Sequence, residues 1–235
     1  MRWTDLCLSL LFISSTTSFS MKSIAAVRSQ IQTMSNSCNN YHKNGNMEVL
    51  NQLASCISKD KIMVVLCGIP GSGKSTFARK MIGQLEPHYR KRWEIANQDK
   101  LGTRTKVMSA ARSALHGGRC IIIDRCNFNV DQRLHWLQLA QEYSVSTVLA
   151  LTMPGCNDLE LCITRAYSRG ISDGHAEDVN WNAVCRGMER DFQHPTAQEG
   201  FSAVFQCHSQ RDLDCFADSI RDIGLREKQK ELDEY

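Results

Sequence analysis

Six consecutive apolar residues, Ile62-Met63-Val64-Val65-Leu66-Cys67, stand out from an otherwise mixed pattern and predict a strand buried on both faces. Upstream, Met47, Leu50, Leu53, Ala54 and Ile57 recur at helical spacing and predict an amphipathic helix. A glycine-rich turn follows the strand, then a helix running through Leu85. Residues 93–96 read as a second strand, and residues 103–116 as a helix closed by Gly117 and Gly118. A third strand over 120–123 ends at Asp124, Asp131 is placed to cap a helix reaching Tyr143, and residues 145–151 form a fourth strand. Strands alternating with helices of about ten to fifteen residues predict an α/β fold, a doubly wound parallel sheet with helices on both faces.

Composition adds only bounds. A chain of 235 residues with 42% hydrophobic content supports one sizeable core rather than two, and 4 prolines with 14 glycines exclude a collagenous or Pro-rich disordered chain. A formal net charge of +3 is too small to diagnose a nucleic-acid binder, so local placement of charge has to carry that argument. The 11 cysteines show no C-x-x-C spacing, which excludes a zinc ribbon and a thioredoxin-type motif, and several lie in apolar runs as reduced core thiols do.

At the N-terminus, an apolar run from Leu6 to Ile13 follows Arg2 and precedes a Ser/Thr cluster. It is too short to span a bilayer but suits a signal-peptide core. Between Asp5 and Glu48 there is no acidic residue, and the stretch is rich in Ser and Asn, which resembles a transit peptide. Together the two resemble the bipartite plastid presequence of algae with secondary plastids. Initiation at Met21 or Met34 instead predicts a nuclear or cytoplasmic protein. Either way residues 1–45 are expected outside the fold, 46–225 form the domain, and 226–235 are a charged, solvated tail.

Residues 68–75, Gly68-Ile69-Pro70-Gly71-Ser72-Gly73-Lys74-Ser75, match G-x-x-x-x-G-K-[ST] in full, between a strand and a helix as that motif requires. The glycines let successive backbone N–H groups converge on one concavity at a helix N-terminus, which suits a phosphate. Gly68, Gly71, Ser72, Gly73, Lys74, Ser75 and Thr76 are the candidate ATP-binding residues, with Lys74 reaching the terminal phosphates and Ser75 available to Mg²⁺. Asp124, ending an apolar strand, is the second candidate for the metal.

The loop does not identify the group that receives phosphate. A motor ATPase needs more chain, and the guanine motif N-K-x-D is absent; Asn97-Gln98-Asp99-Lys100 has similar residues in another order. A small kinase needs a base for the acceptor hydroxyl and cations over the transferred phosphate. Asp99 follows the second strand, and in a doubly wound fold the ends of strands open on the ligand crevice; Arg165 and Arg169 are four apart on a predicted helix.

The motifs GIPGSGKSTFA, NQDKLG, ALHGGRCIIIDRCNFNVDQR and TRAYSRG, in this order, resemble the 5′-hydroxyl polynucleotide kinases. They are especially similar to the kinase modules of eukaryotic polynucleotide kinase/phosphatases and of plant aprataxin-like fusions. The likeness covers about residues 60–170, with a fainter echo at HPTAQEGF (residues 194–201). It implies a phosphate-loop fold with a helical lid, Asp99 as general base, Lys74, Arg165 and Arg169 as the cations on the transferred phosphate, and a D-x-x-N element at Asp124 and Asn127 followed by Arg133. It further implies ATP as phosphate donor, Mg²⁺, and a DNA or RNA 5′ end as acceptor.

The chain departs from bacteriophage members at Lys100 and Gly102, where they carry a second acid and an acceptor-binding Arg. Lys100, Arg104, Arg125, Asn127 and Arg133 are therefore the candidates for the acceptor side, with Arg112 on the same helix face as Arg104. Trp93 and Phe128 are candidates for stacking on the terminal base. Two other readings stay open: a gluconate- or nucleoside-type small-molecule kinase, and a non-catalytic ATP-binding module.

Overall fold

A computed structural model describes residues 61–172 and 179–233. The expected leader and the helix around residues 47–57 lie outside the described residues. Five strands form one parallel sheet: β1 (Ile62–Cys67), β2 (Trp93–Asn97), β3 (Cys120–Asp124), β4 (Thr147–Thr152) and β5 (Ala203–Gln206), in the order β2-β3-β1-β4-β5. The helices are α1 (Lys74–Gly83), α2 (Pro87–Arg90), α3 (Gln98–Leu101), α4 (Arg104–His116), α5 (Val130–Glu142), α6 (Leu159–Ser172), α7 (Trp181–Arg190) and α8 (Gln210–Asp233). The doubly wound α/β reading is correct.

The uniform apolar run of β1 reflects its place at the centre of the sheet, between β3 and β4. Its residues alternate between two cores, as strand geometry dictates. Ile62, Val64 and Leu66 pack with Phe77 and Met81 of α1 and with Phe216 and Ile220 of α8. Met63, Val65 and Cys67 pack with Val107 and Ala111 of α4 and with Trp136 and Leu139 of α5. A smaller third core joins Ile69 of the glycine-rich turn to Cys162, Ile163 and Ala166 of α6 and Cys185 of α7. That third core fixes the α6–α7 layer to the loop, which is the helical lid expected from sequence.

Several boundaries differ from the sequence pattern. Asn129, not Asp131, caps α5, its side chain accepting from the Gln132 N–H at 3.0 Å, while Asp131 sits in the first turn. The charged tail, which the sequence allows as a helix end, does continue α8 to Asp233. Trp93 is buried in the first core, edge-on to Tyr89, and so is not available to stack on a nucleobase. No disulfide joins any two of the described cysteines. Among the described residues no helix is long and apolar enough to cross a membrane.

Candidate active site

β1 ends at Cys67 and the chain turns through the glycine-rich loop into α1. The Gly68 N–H is held by the Cys126 carbonyl at 2.8 Å, tying the loop's start to the segment after β3. Gly71 has φ 78° and its missing Cβ would lie 2.0 Å from the Cys162 carbonyl oxygen, so both its conformation and its surroundings demand glycine. Gly73, at φ 98°, is the N-cap of α1 and offers no side-chain acceptor, and α1 has no acid in its first turn. The N–H groups there are left for an anion, and the helix dipole favours one.

Lys74 is largely buried, and its ammonium donates to the carbonyls of Gly68 (3.0 Å) and Ile69 (2.8 Å) and to Ser72 Oγ (3.4 Å). The charge therefore sits inside the curl of the loop, where phosphate oxygens can replace those acceptors. Four thiols feel the Lys74 charge: burial raises the pKa of Cys156 and Cys185, and pushes Cys162 up to about 11 and Cys67 up to about 12. Kept neutral, they do not oppose an anion on the loop.

A cleft of about 850 Å³ opens at the carboxyl ends of the strands. Gly71, Ser72, Gly73, Lys74, Ser75 and Thr76 line it together with Asn97, Asp99, Lys100, Arg165 and Arg169. Arg79 and Lys80 of α1 also line it, as do His208, Ser209, Gln210 and Leu213 at and before the start of α8. β1 ends here at a switch point, where the crossover out of β1 runs to the β2–β3 side of the sheet and the crossover out of β3 runs to β4 on the other, the position at which open α/β sheets bind ligands.

Asp99 stands on α3, directly after β2, and its carboxylate meets Arg169 at 3.1 Å. Arg165 and Arg169 share one face of α6 and both reach the cleft, as their spacing predicts. Asp124 is buried behind the cleft wall, opposite Asn97 in the β2–β3 register. Asn97 Nδ2 donates to Asp124 Oδ2 and, at 3.3 Å, to Ser75 Oγ. Ser75 and Asp124 thus meet on one amide group. A hydroxyl and a carboxylate are the hard oxygen donors Mg²⁺ takes alongside phosphates, so the residues fit that ion. Among the described residues no group of three or more His, Cys, Asp or Glu side chains is placed to hold a metal.

The acceptor-side expectations divide. Lys100 lines the cleft; Arg104 and Arg125 do not. Arg104 is exposed on α4 and bonds His135 at 2.9 Å, and Arg125 is half-buried, its guanidinium 6.0 Å from the Trp136 ring. Burial lowers the Arg125 pKa, and the nearby Arg104 acts in the same direction. Arg112 is drawn off to Glu142 at 3.4 Å.

Asn127 and Arg133 are corrected: both are fully buried. Asn127, at φ 45°, donates to the Leu66 carbonyl at 2.8 Å and accepts from Trp136 Nε1 at 2.8 Å. Arg133 makes a two-pronged contact to Glu199, at 2.7 and 2.9 Å, and donates to the carbonyls of Asn127 and Gln193. Neither can touch an acceptor; they brace the loop after β3 against residues 193–199. The HPTAQEGF echo belongs to this brace, since Glu199 also closes a capping box with Thr196. Asn97, two residues before Asp99, is a site residue that the sequence pattern does not mark, and the His208–Leu213 wall carries no motif.

A family model described as "AAA domain" matches residues 63–195. The Arabidopsis thaliana protein named transcription factor bHLH140 is 32% identical over 166 residues, 70% of this chain and 18% of that protein. The bifunctional polynucleotide phosphatase/kinase of Schizosaccharomyces pombe is 30% identical over 156 residues, 64% of this chain and 35% of that protein. The chain therefore spans only a minor part, 18% and 35%, of the length of these curated relatives. A solved fungal RNA kinase is 18% identical, with 71% of this chain and 85% of that chain aligned at a TM-score of 0.46.

Proposed function

This chain belongs to the AAA domain family, and from that premise we propose that it is an ATP-dependent kinase acting on the 5′-hydroxyl end of a polynucleotide. The observation that carries the reading is the gathering of Asp99, Arg165 and Arg169 around the same cleft as Lys74 and the phosphate loop. A protein that only held nucleotide has no need of a carboxylate opposite the phosphates. Likeness to a polynucleotide phosphatase/kinase supports a nucleic-acid acceptor in place of a sugar or nucleoside.

In the proposed reaction the loop amides and Lys74 hold the β- and γ-phosphates of ATP, and the nucleoside extends toward His208–Leu213. Asp99 leaves Arg169, accepts a hydrogen bond from the acceptor 5′-hydroxyl and takes its proton. The hydroxyl oxygen bonds to the γ-phosphorus as the bond to the bridging oxygen of ADP breaks, giving a 5′-phosphate end and ADP. Arg165 and the released Arg169 neutralise the equatorial oxygens, whose charge spreads in the transition state. Mg²⁺, when held by Ser75 and Asp124, supplies charge neutralisation at the phosphates. Lys100 at the cleft rim, with Arg104 and Arg125 beyond it, takes the acceptor's phosphates without reading sequence. Such a reaction serves repair or healing of broken DNA or RNA ends.

The Asp99–Arg169 ion pair also favours a second reading, a nucleotide-dependent binding module in which that pair simply closes the cleft. One assay separates them: incubation with γ-labelled ATP and a 5′-hydroxyl oligonucleotide, with a 5′-phosphorylated oligonucleotide as control. Label on the first and not the second supports the kinase. Label on gluconate or a nucleoside alone, or none on any acceptor, overturns it.

A further inference from the structure

We infer that Asn97 is a positioning residue, locking the phosphate loop to Asp124 while it sets the helix that presents Asp99; the inference rests on the kinase reading above. Asn97 is the last residue of β2 and is 9% exposed. The β2–β3 register puts it directly beside Asp124. Three of its four hydrogen-bonding positions are engaged, on three different elements. Nδ2 donates to Asp124 Oδ2 on β3 and to Ser75 Oγ on α1 at 3.3 Å. Oδ1 accepts from the Lys100 N–H at 2.8 Å, capping α3.

The network fixes which end of the amide is which. A backbone N–H requires an oxygen opposite it, and an ionised carboxylate requires a donor. Asparagine alone among side chains of this length offers two donors and an acceptor. Aspartate and serine are good N-caps and keep the bond to Lys100, but neither supplies the paired donors to Asp124 and Ser75. Aspartate moreover faces the Asp124 carboxylate with a second negative charge. The cap and the donor roles of one side chain can therefore be separated by substitution.

The test compares wild type with Asn97→Asp and Asn97→Ser. Three quantities are read: melting temperature, ATP affinity in EDTA, and kcat and KM for phosphorylation of a 5′-hydroxyl oligonucleotide. Asn97→Ser should melt a few degrees below wild type and Asn97→Asp lower still, since each leaves buried Asp124 without its donor, and both, once folded, should bind ATP without metal within a few-fold of wild type. In both, kcat should fall by about 10- to 100-fold, the usual effect of losing a partner that orients a ligating side chain, with KM for the oligonucleotide little changed. If Asn97→Asp does not fold, Asn97→Ser carries the same expectation without the added charge. Wild-type kcat in either folded variant reduces Asn97 to a helix cap and overturns the inference alone. Absence of transfer by the wild-type chain itself overturns the kinase reading, and this inference with it.

Discussion

Replacing Arg133 by Met tests whether the residue braces the fold or meets the acceptor. In the native protein Arg133 is 0% and Glu199 9% exposed at the side chain, so the substitution strands a buried carboxylate. Two backbone carbonyls, those of Asn127 and Gln193, lose their donor as well. Breaking a buried pair by removing one partner costs about 3–5 kcal/mol. For a protein of this size a change of 1 kcal/mol moves the melting temperature by about 2–4 °C, so the shift should lie at about 6–20 °C. Removing Glu199 in the same molecule, as in R133M/E199L, should recover a good part of that loss, because no charge is then left unpaired. The assay is a thermal melt of the two variants beside wild type, with oligonucleotide KM measured well below the lowest transition. A wild-type melting temperature in R133M together with a raised KM for the oligonucleotide refutes the bracing role and returns Arg133 to the acceptor side.

The remaining predictions concern the loop, the thiols and the acceptor track. Lys74→Ala should lower phosphate transfer by about 100-fold or more, read by label transfer at saturating ATP, because the buried ammonium is the loop's own cation. Gly71→Ala forces a side chain into φ 78° and against the Cys162 carbonyl, a strain of about 1–3 kcal/mol that equilibrium ATP binding should register as roughly 5- to 150-fold weaker affinity. Burial pushes Cys67 and Cys207 up to about 12, so the folded chain keeps protons that unfolded thiols lose near pH 9. Folding stability should therefore decline as pH rises from about 9 toward 12 and be indifferent to these groups below that, which denaturant melts across that range would show. Oligonucleotide affinity should fall with added salt if Lys100 and Arg104 contact phosphates, and a salt-independent affinity argues against that track.

What was legible in the sequence was whatever local pattern decides. The run at 62–67 is apolar without a break because β1 is covered on both faces, and the loop that follows is set by glycines whose backbone geometry no other residue tolerates. The i, i+4 spacing of Arg165 and Arg169 was enough to put both on one side of α6. Long-range partners were not legible. An arginine two positions after Asp131 reads as exposed by default, and only Glu199, 66 residues further on, turns Arg133 inward. Strand β5 is four residues long and incompletely buried, too short a pattern to distinguish from loop, yet it extends the sheet beyond β4 and leads into the His208–Leu213 wall of the cleft. Asp131 and Asn129 are both good caps, and which of them serves depends on where the loop after β3 turns, itself set by buried Asn127.

The measurement closest to the central claim is label transfer from γ-labelled ATP to a 5′-hydroxyl oligonucleotide by Asp99→Asn, with ATP affinity measured on the same preparation. Asparagine keeps the shape at the cleft but cannot take the proton. The account predicts ATP affinity within about two-fold of wild type and transfer reduced by about 100-fold or more. Transfer at the wild-type rate by a variant that binds ATP normally contradicts it, and with it the assignment of Asp99 as the base.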